Sequence, residues 1–156
     1  MRTQTRQRVV TGIATVVVLA LALSLFLGRS PNGAPDRVEA SLGEPVETDR
    51  GTVTVTSLDP VPPGTAGAPA PAEGTVVGAI QFRSCRTDPQ GTIVDLSVFS
   101  VRTVDGSSAT PAGSRLTESS GECTGGEVFV LLPASASPSE VEYAADPIAV
   151  WALPSS

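Results

Sequence analysis

The sequence predicts an all-β fold, an antiparallel β-sandwich of about seven short strands, preceded by one N-terminal transmembrane helix. Three observations predict it. An uncharged apolar stretch of nineteen residues runs from Val9 to Leu27. Beyond Ser30 the apolar residues recur in short runs with a strand period, separated by Gly, Pro and Asp-Gly signals. No segment in that part carries a convincing helical period, and no internal repeat is visible.

Residues 1–8, MRTQTRQR, hold three Arg and no acid, and read as a cytoplasmic N-terminus. The stretch from Val9 to Leu27 would span about 28 Å as a helix, close to the roughly 30 Å core of a bilayer. All its backbone groups would be satisfied internally, as lipid requires. A cleaved signal peptide is the rival reading, but its apolar region usually covers about 7–15 residues. The A-x-A-like stretch, Ala20-Leu21-Ala22, lies inside the run rather than after it. A retained signal anchor fits better, and cleavage would instead release the domain as a secreted protein. Three Arg precede the segment and one, Arg29, follows it, so the remainder should cross to the extracytoplasmic side. Residues 28–41, GRSPNGAPDRVEAS, read as a linker, which leaves 42–156 as the extracytoplasmic domain.

Within that domain Thr52–Thr56 alternates apolar and hydroxyl side chains, as a half-buried strand does. Asp49-Arg50-Gly51 is a turn that would join it to Pro45–Thr48 as a hairpin. Residues 61–74, VPPGTAGAPAPAEG, contain four Pro that remove ladder donors, so a loop is expected. It reads as an inert connection before it reads as a Pro-rich recognition segment, since no aromatic or basic anchor accompanies it. Thr75–Arg83 and Thr92–Val101 are the next strands, the latter with Val94, Leu96 and Val98 on one side. Asp105-Gly106 follows as a turn. Glu127–Leu132 is an almost continuous apolar run closed by Pro133, as expected of a central strand. Val141–Ala144 and Ile148–Leu153, separated by Asp146-Pro147, complete the set.

Charge and composition narrow the function. There is no Lys and no His, and all ten basic residues are Arg. Beyond Ser30, six Arg face sixteen acids, a net charge of −10. Such a domain repels phosphate backbones and anionic lipid headgroups, which argues against nucleic acid as a partner. Without His or Lys, the Ser-His-Asp, Cys-His and Ser-Lys nucleophile systems cannot form within the chain. His-ligated metals are excluded on the same ground, and no phosphate loop or calcium-loop motif appears, so no catalytic residue, metal site or cofactor is assigned.

Cys85 and Cys123 both lie in the exported part, each beside an expected strand, and should form a structural disulfide. Zinc would need more ligands than these two, and a redox pair would normally sit at CxxC spacing. With four Phe, one Trp and one Tyr in the whole chain, a covalent tie would support a small core. Trp151 reads first as a core residue whose indole nitrogen finds a backbone acceptor. Its rival reading is a possible interaction hot spot. Asp95, Glu122 and Glu127 are the acids that a paired-carboxylate hydrolase would use, and Glu118, Glu122 and Glu127 those of an oxygen-ligand calcium site. Scattered acids on so anionic a domain are more simply solvated surface.

Three segments in order, FSVRTVDG (99–106), GEVFVLLP (126–133) and DPIAVWAL (146–153), carry a family resemblance. They resemble the telokin-like, immunoglobulin-like extracellular proteins of Gram-positive and actinomycete bacteria, a group that includes the small immunogenic antigen secreted by mycobacteria. The likeness covers about Leu42 to Leu153. It implies an immunoglobulin-like β-sandwich and no activity, so no functional residue is carried over. Two features depart from the pattern: the lipid-attachment Cys of many members is missing, and the Cys85/Cys123 pair is additional.

The expected function is a non-enzymatic, membrane-anchored extracytoplasmic binding or interaction module, with an envelope protein or glycan as its partner. The alternatives are a structural or stress-related envelope protein without a specific ligand and, more remotely, a carboxylate-dependent hydrolase.

Overall fold

The computed structural model describes residues 36–86 and 94–154. The stretch from Val9 to Leu27 lies outside them. Among the described residues no helix is long and apolar enough to cross a membrane.

Among the described residues ten strands form two five-stranded sheets. In chain order they are β1 (Arg37–Ala40), β2 (Pro45–Thr48), β3 (Gly51–Pro60), β4 (Thr75–Cys85), β5 (Phe99–Thr103), β6 (Ser108–Ala109), β7 (Pro111–Ser120), β8 (Cys123–Pro133), β9 (Pro138–Tyr143) and β10 (Ile148–Ala152). One sheet has the order β1-β10-β9-β5-β6, the other β2-β3-β4-β8-β7. A β-sandwich follows because each sheet has one apolar face to bury.

The expected hairpin is present, with Val46 opposite Val53 and Thr48 opposite Gly51. Gly51 has φ +119°, and a Cβ there would collide with the carbonyl oxygen of Cys85. The turn therefore needs glycine both for its dihedral and for close approach to β4.

The inner faces meet in one core. Val53, Val55, Ile80 and Val128 come from the sheet of β2, β3, β4, β8 and β7, and Phe99, Val101, Val141, Tyr143 and Trp151 from the opposite sheet. Phe82 and Phe99 join the sheets with ring centroids 5.4 Å apart, and Phe99 packs on Tyr143 at 4.8 Å.

Both outer faces are also covered in part. The Pro-rich loop 61–74 lies over the outer face of β4 and β8, where Val61 and Ala68 pack on Val77, Ala79 and Phe129. This second contact explains why β8 is apolar at every position from Val128 to Leu132: Val128, Val130 and Leu132 face the main core while Phe129 faces the loop. On the other sheet Arg37 of β1 reaches across β10 to Glu140 (2.7 Å) and Glu142 (3.2 Å) of β9, and Arg102 of β5 meets Glu142 at 3.2 Å. Val150 of β10, opposite Glu142, is buried on that face. The aliphatic stems of the Arg residues shield such a position while their heads stay in water.

Four expectations need correction. The strand count rises from about seven to ten, because β1, β6 and β7 carry little apolar signal. The fold is mixed rather than purely antiparallel, since β1 pairs with β10 in parallel. The end of the expected linker, Arg37–Ala40, is that β1 strand. Of the strand expected over 92–101, Thr92 and Ile93 lie outside the described residues, and the described part holds a 3-10 turn at Leu96–Val98 followed by β5. Asp95 accepts hydrogen bonds from the backbone nitrogen of Ser97 (3.0 Å) and from its hydroxyl (2.6 Å), which favours the turn over extension.

Candidate functional site

The sheets leave a cleft at the end where β3 and β10 finish. Four separate stretches line it: Leu42 in the β1–β2 connection, Ser57, Leu58 and Asp59 of β3, Pro138 opening β9, and Leu153 and Pro154 after β10. Its volume is about 290 Å³. Leu42, Leu58 and Leu153 are half-buried and pack against the main core, so the floor of the cleft is continuous with the interior. Asp59 lies exposed at the rim. The hydroxyl of Ser57 donates to its Oδ2 at 2.5 Å, and both side chains lie on the face of β3 opposite Leu58, beside Gln81 and Ala79. The backbone nitrogen of Leu153 donates to the carbonyl of Ser139 at 2.9 Å, and Pro138 and Pro154 have no N–H to offer.

Local chain geometry explains the opening. The register of β3 on β4 shifts between Val55 and Ser57, and this bulge re-aims the last residues of β3. Pro154, which has no N–H, then ends the β10 ladder just after the Leu153 nitrogen donates to Ser139.

The residues singled out in the sequence fall elsewhere. Cys85 and Cys123 are disulfide-bonded and stand directly opposite each other at the ends of β4 and β8. They lie at the far end of these strands from the cleft, beside the Gly51 turn. Trp151 is fully buried, and its indole nitrogen donates to the carbonyl of Glu44 at 2.9 Å. That is the core reading. The interaction hot spot is corrected, because a side chain with no exposed surface has no face for a partner. Val9 and Leu27 lie outside the described residues.

Two of the acids weighed for catalysis or calcium, Glu127 and Asp95, are engaged. Arg115 donates to Glu127 at 2.8 Å and Gln81 donates to it at 2.8 Å. Arg50 pairs with Asp95 at 3.1 Å. The Asp95 carboxyl is held below the usual range, chiefly by the Ser97 hydrogen bonds and then by Arg50. Beneath them Tyr143 is buried, which pushes its hydroxyl pKa upward. Among the described residues no group of three His, Cys, Asp or Glu side chains is placed to hold a metal ion.

Sequence reasoning missed the cleft. Its residues are scattered from Leu42 to Pro154, and each looks like an ordinary strand end. The available signals were the two apolar–Pro closures, Leu58-Asp59-Pro60 and Leu153-Pro154, which mark strands stopping with an apolar side chain near solvent.

No protein-family model matches the chain, and no curated protein matches it in sequence. Two solved structures are similar in shape. One is an uncharacterised β-sandwich protein from Clostridium difficile, at 14% identity and a TM-score of 0.51, covering 81% of this chain and 100% of that one. The other is the secreted protein MPT63 of Mycobacterium tuberculosis, at 18% identity and a TM-score of 0.51, covering 78% of this chain and 100% of that one. The likeness shows a shared β-sandwich fold. At these identities it carries the fold and nothing about activity. The expectation drawn from FSVRTVDG, GEVFVLLP and DPIAVWAL is thus met as a sandwich.

Proposed function

We propose that this chain is a non-enzymatic, extracytoplasmic binding or interaction module with an immunoglobulin-like sandwich, tethered to the membrane by the stretch from Val9 to Leu27. The observation that carries the reading is the cleft between the sheet ends, concave and with an apolar floor. The disulfide fits an oxidising compartment. The carboxylates of Asp95 and Glu127 are tied up by Arg50 and Arg115, which leaves the hydrolase reading without support. Kinship with the telokin-like extracellular proteins is part of the same proposal and rests on the three segments and the shared fold.

A structural envelope role is the second reading. It is favoured by the covering of both outer faces, one by the Pro-rich loop and one by the Arg–Glu network. Affinity capture on the full chain from cell envelopes separates the two. Recovery of a protein or glycan partner that competes with free domain supports the binding module. Empty capture, together with loss of envelope integrity on deletion, contradicts it in favour of the structural role.

A further inference from the structure

We propose that the Pro-rich loop 61–74 is a displaceable cover, and that the face beneath it docks an extended, proline-rich segment of a partner chain. This rests on the binding reading and goes beyond the cleft to a second surface, the outer face of β4 and β8. Along that face the cross-strand pairs change character. Val77–Leu131 and Ala79–Phe129 are apolar, whereas Gln81–Glu127 is polar. Val61 and Ala68 of the loop pack on the apolar part, and Phe129 is fully buried there although it points away from the main core. The loop is fastened to the sheet at its ends. The Val61 nitrogen donates to the Val77 carbonyl at 2.9 Å, and the Ala134 nitrogen donates to the Gly74 carbonyl at 2.8 Å. Between these points, the hydrogen bonds among the described residues run from Thr65 to Pro62, from Ala68 to Thr65 and from Thr75 to Ala72, all of them local. Lifting the middle of the loop therefore breaks apolar contact and no ladder bond.

The chemistry of the occupant follows from the face. A chain lying across a sheet face meets side chains, because the strand backbones below it are already paired. Each N–H that it buries there lacks an acceptor. Proline has none to bury, and its fixed φ keeps the chain extended before docking. Gly113 of β7, opposite Phe129, limits the bulk of what passes. A Cβ at Gly113 would stand 3.1 Å from the Gly67 carbonyl oxygen and 3.8 Å from the Pro69 ring. The path admits a single extended backbone with small side chains and excludes a helix, whose diameter is about 10 Å. Glu127, at the margin of the apolar part, is already held by Arg115 and Gln81, so it offers no free charge to recruit an ion.

The test is fluorescence anisotropy of a labelled peptide, VPPGTAGAPAPAEG, titrated with the full chain in lipid nanodiscs, with empty nanodiscs subtracted. A second chain has residues 62–73 replaced by a Gly-Ser linker of about four residues, a hairpin-loop length. The expected result is saturable binding to the shortened chain. Binding to the intact chain should be at least about tenfold weaker, because its own loop competes at an effective concentration on the order of millimolar. In the shortened chain Gly113→Ala should weaken binding about tenfold, and a peptide carrying Ala68→Asp should not bind. Fluorescence of the buried Trp151 reports the folding of each variant. No saturable binding to the shortened chain, equal binding to both chains, or indifference to both substitutions would each overturn the inference. A shortened chain that fails to fold would overturn it too, since the loop would then belong to the core. Capture of an envelope partner alongside a silent titration would remove this docking face and leave the binding module standing.

Discussion

The indole nitrogen of Trp151 donates to the carbonyl of Glu44 at 2.9 Å, joining the last strand of one sheet to the turn that opens the other. This bond fixes the chain between β1 and β2 over the core. It also sets Leu42, two residues earlier, at the edge of the cleft. Trp151→Ala should lower stability by about 3–5 kcal/mol through loss of a fully buried ring. Trp151→Phe should lose about 1–3 kcal/mol, because the Glu44 carbonyl loses its donor. Urea denaturation followed by circular dichroism measures both.

The disulfide joins residues 38 apart in sequence, so reduction frees a long loop in the unfolded chain. The chain-entropy model gives a loss of roughly 4 kcal/mol. Cys85→Ser with Cys123→Ser should lower the unfolding free energy by that amount with the fold retained at low temperature. A shift below about 1 kcal/mol would show that strand pairing alone holds the two ends.

Gly51 and Gly121 both have positive φ, +119° and +60°, but differ in their surroundings. A Cβ on Gly51 meets the Cys85 carbonyl, whereas one on Gly121 meets nothing within 4 Å. Gly51→Ala should cost about 2 kcal/mol or more, and Gly121→Ala about 1 kcal/mol. Similar losses at the two sites would contradict the close approach of the β2–β3 turn to β4.

Asp105 accepts hydrogen bonds from the Thr103 hydroxyl and from the Ser107 backbone, which lower its pKa from 3.8 to about 2. A carboxylate depressed on folding adds stability above its unfolded pKa and loses it as pH falls through the folded one. Native protein should therefore lose stability between about pH 4 and pH 2 through this group. In Asp105→Asn that part of the pH dependence should be absent. Thermal melts across this window in both proteins provide the comparison.

The sandwich was legible where burial writes a pattern. Val53 and Val55 alternate with Thr because one face is core, and Glu127–Leu132 runs apolar because both faces of β8 are covered. What stayed hidden has a common cause. β7, PAGSRLTESS, is an edge strand with exposed residues along most of its length, so nothing selects apolar side chains there. β1 is equally exposed and gains its order from parallel pairing with residues more than a hundred positions away. The 3-10 turn at Leu96–Val98 shares its apolar spacing with a strand, and the difference lies in the Asp95 carboxylate, whose hydrogen bonds no periodicity records. The disulfide partners were readable from composition and address. The cleft was not, because it exists only once four distant strand ends are brought together.

Intact mass of the full chain purified from its native cells, alkylated before and after reduction, addresses the account at its root. An extracytoplasmic domain tied through Cys85 and Cys123 should take up no alkylating agent before reduction and two equivalents after it. Two equivalents taken up at once, without reductant, would mean that the domain matures as a dithiol, and would contradict both the tie between β4 and β8 and the proposed export.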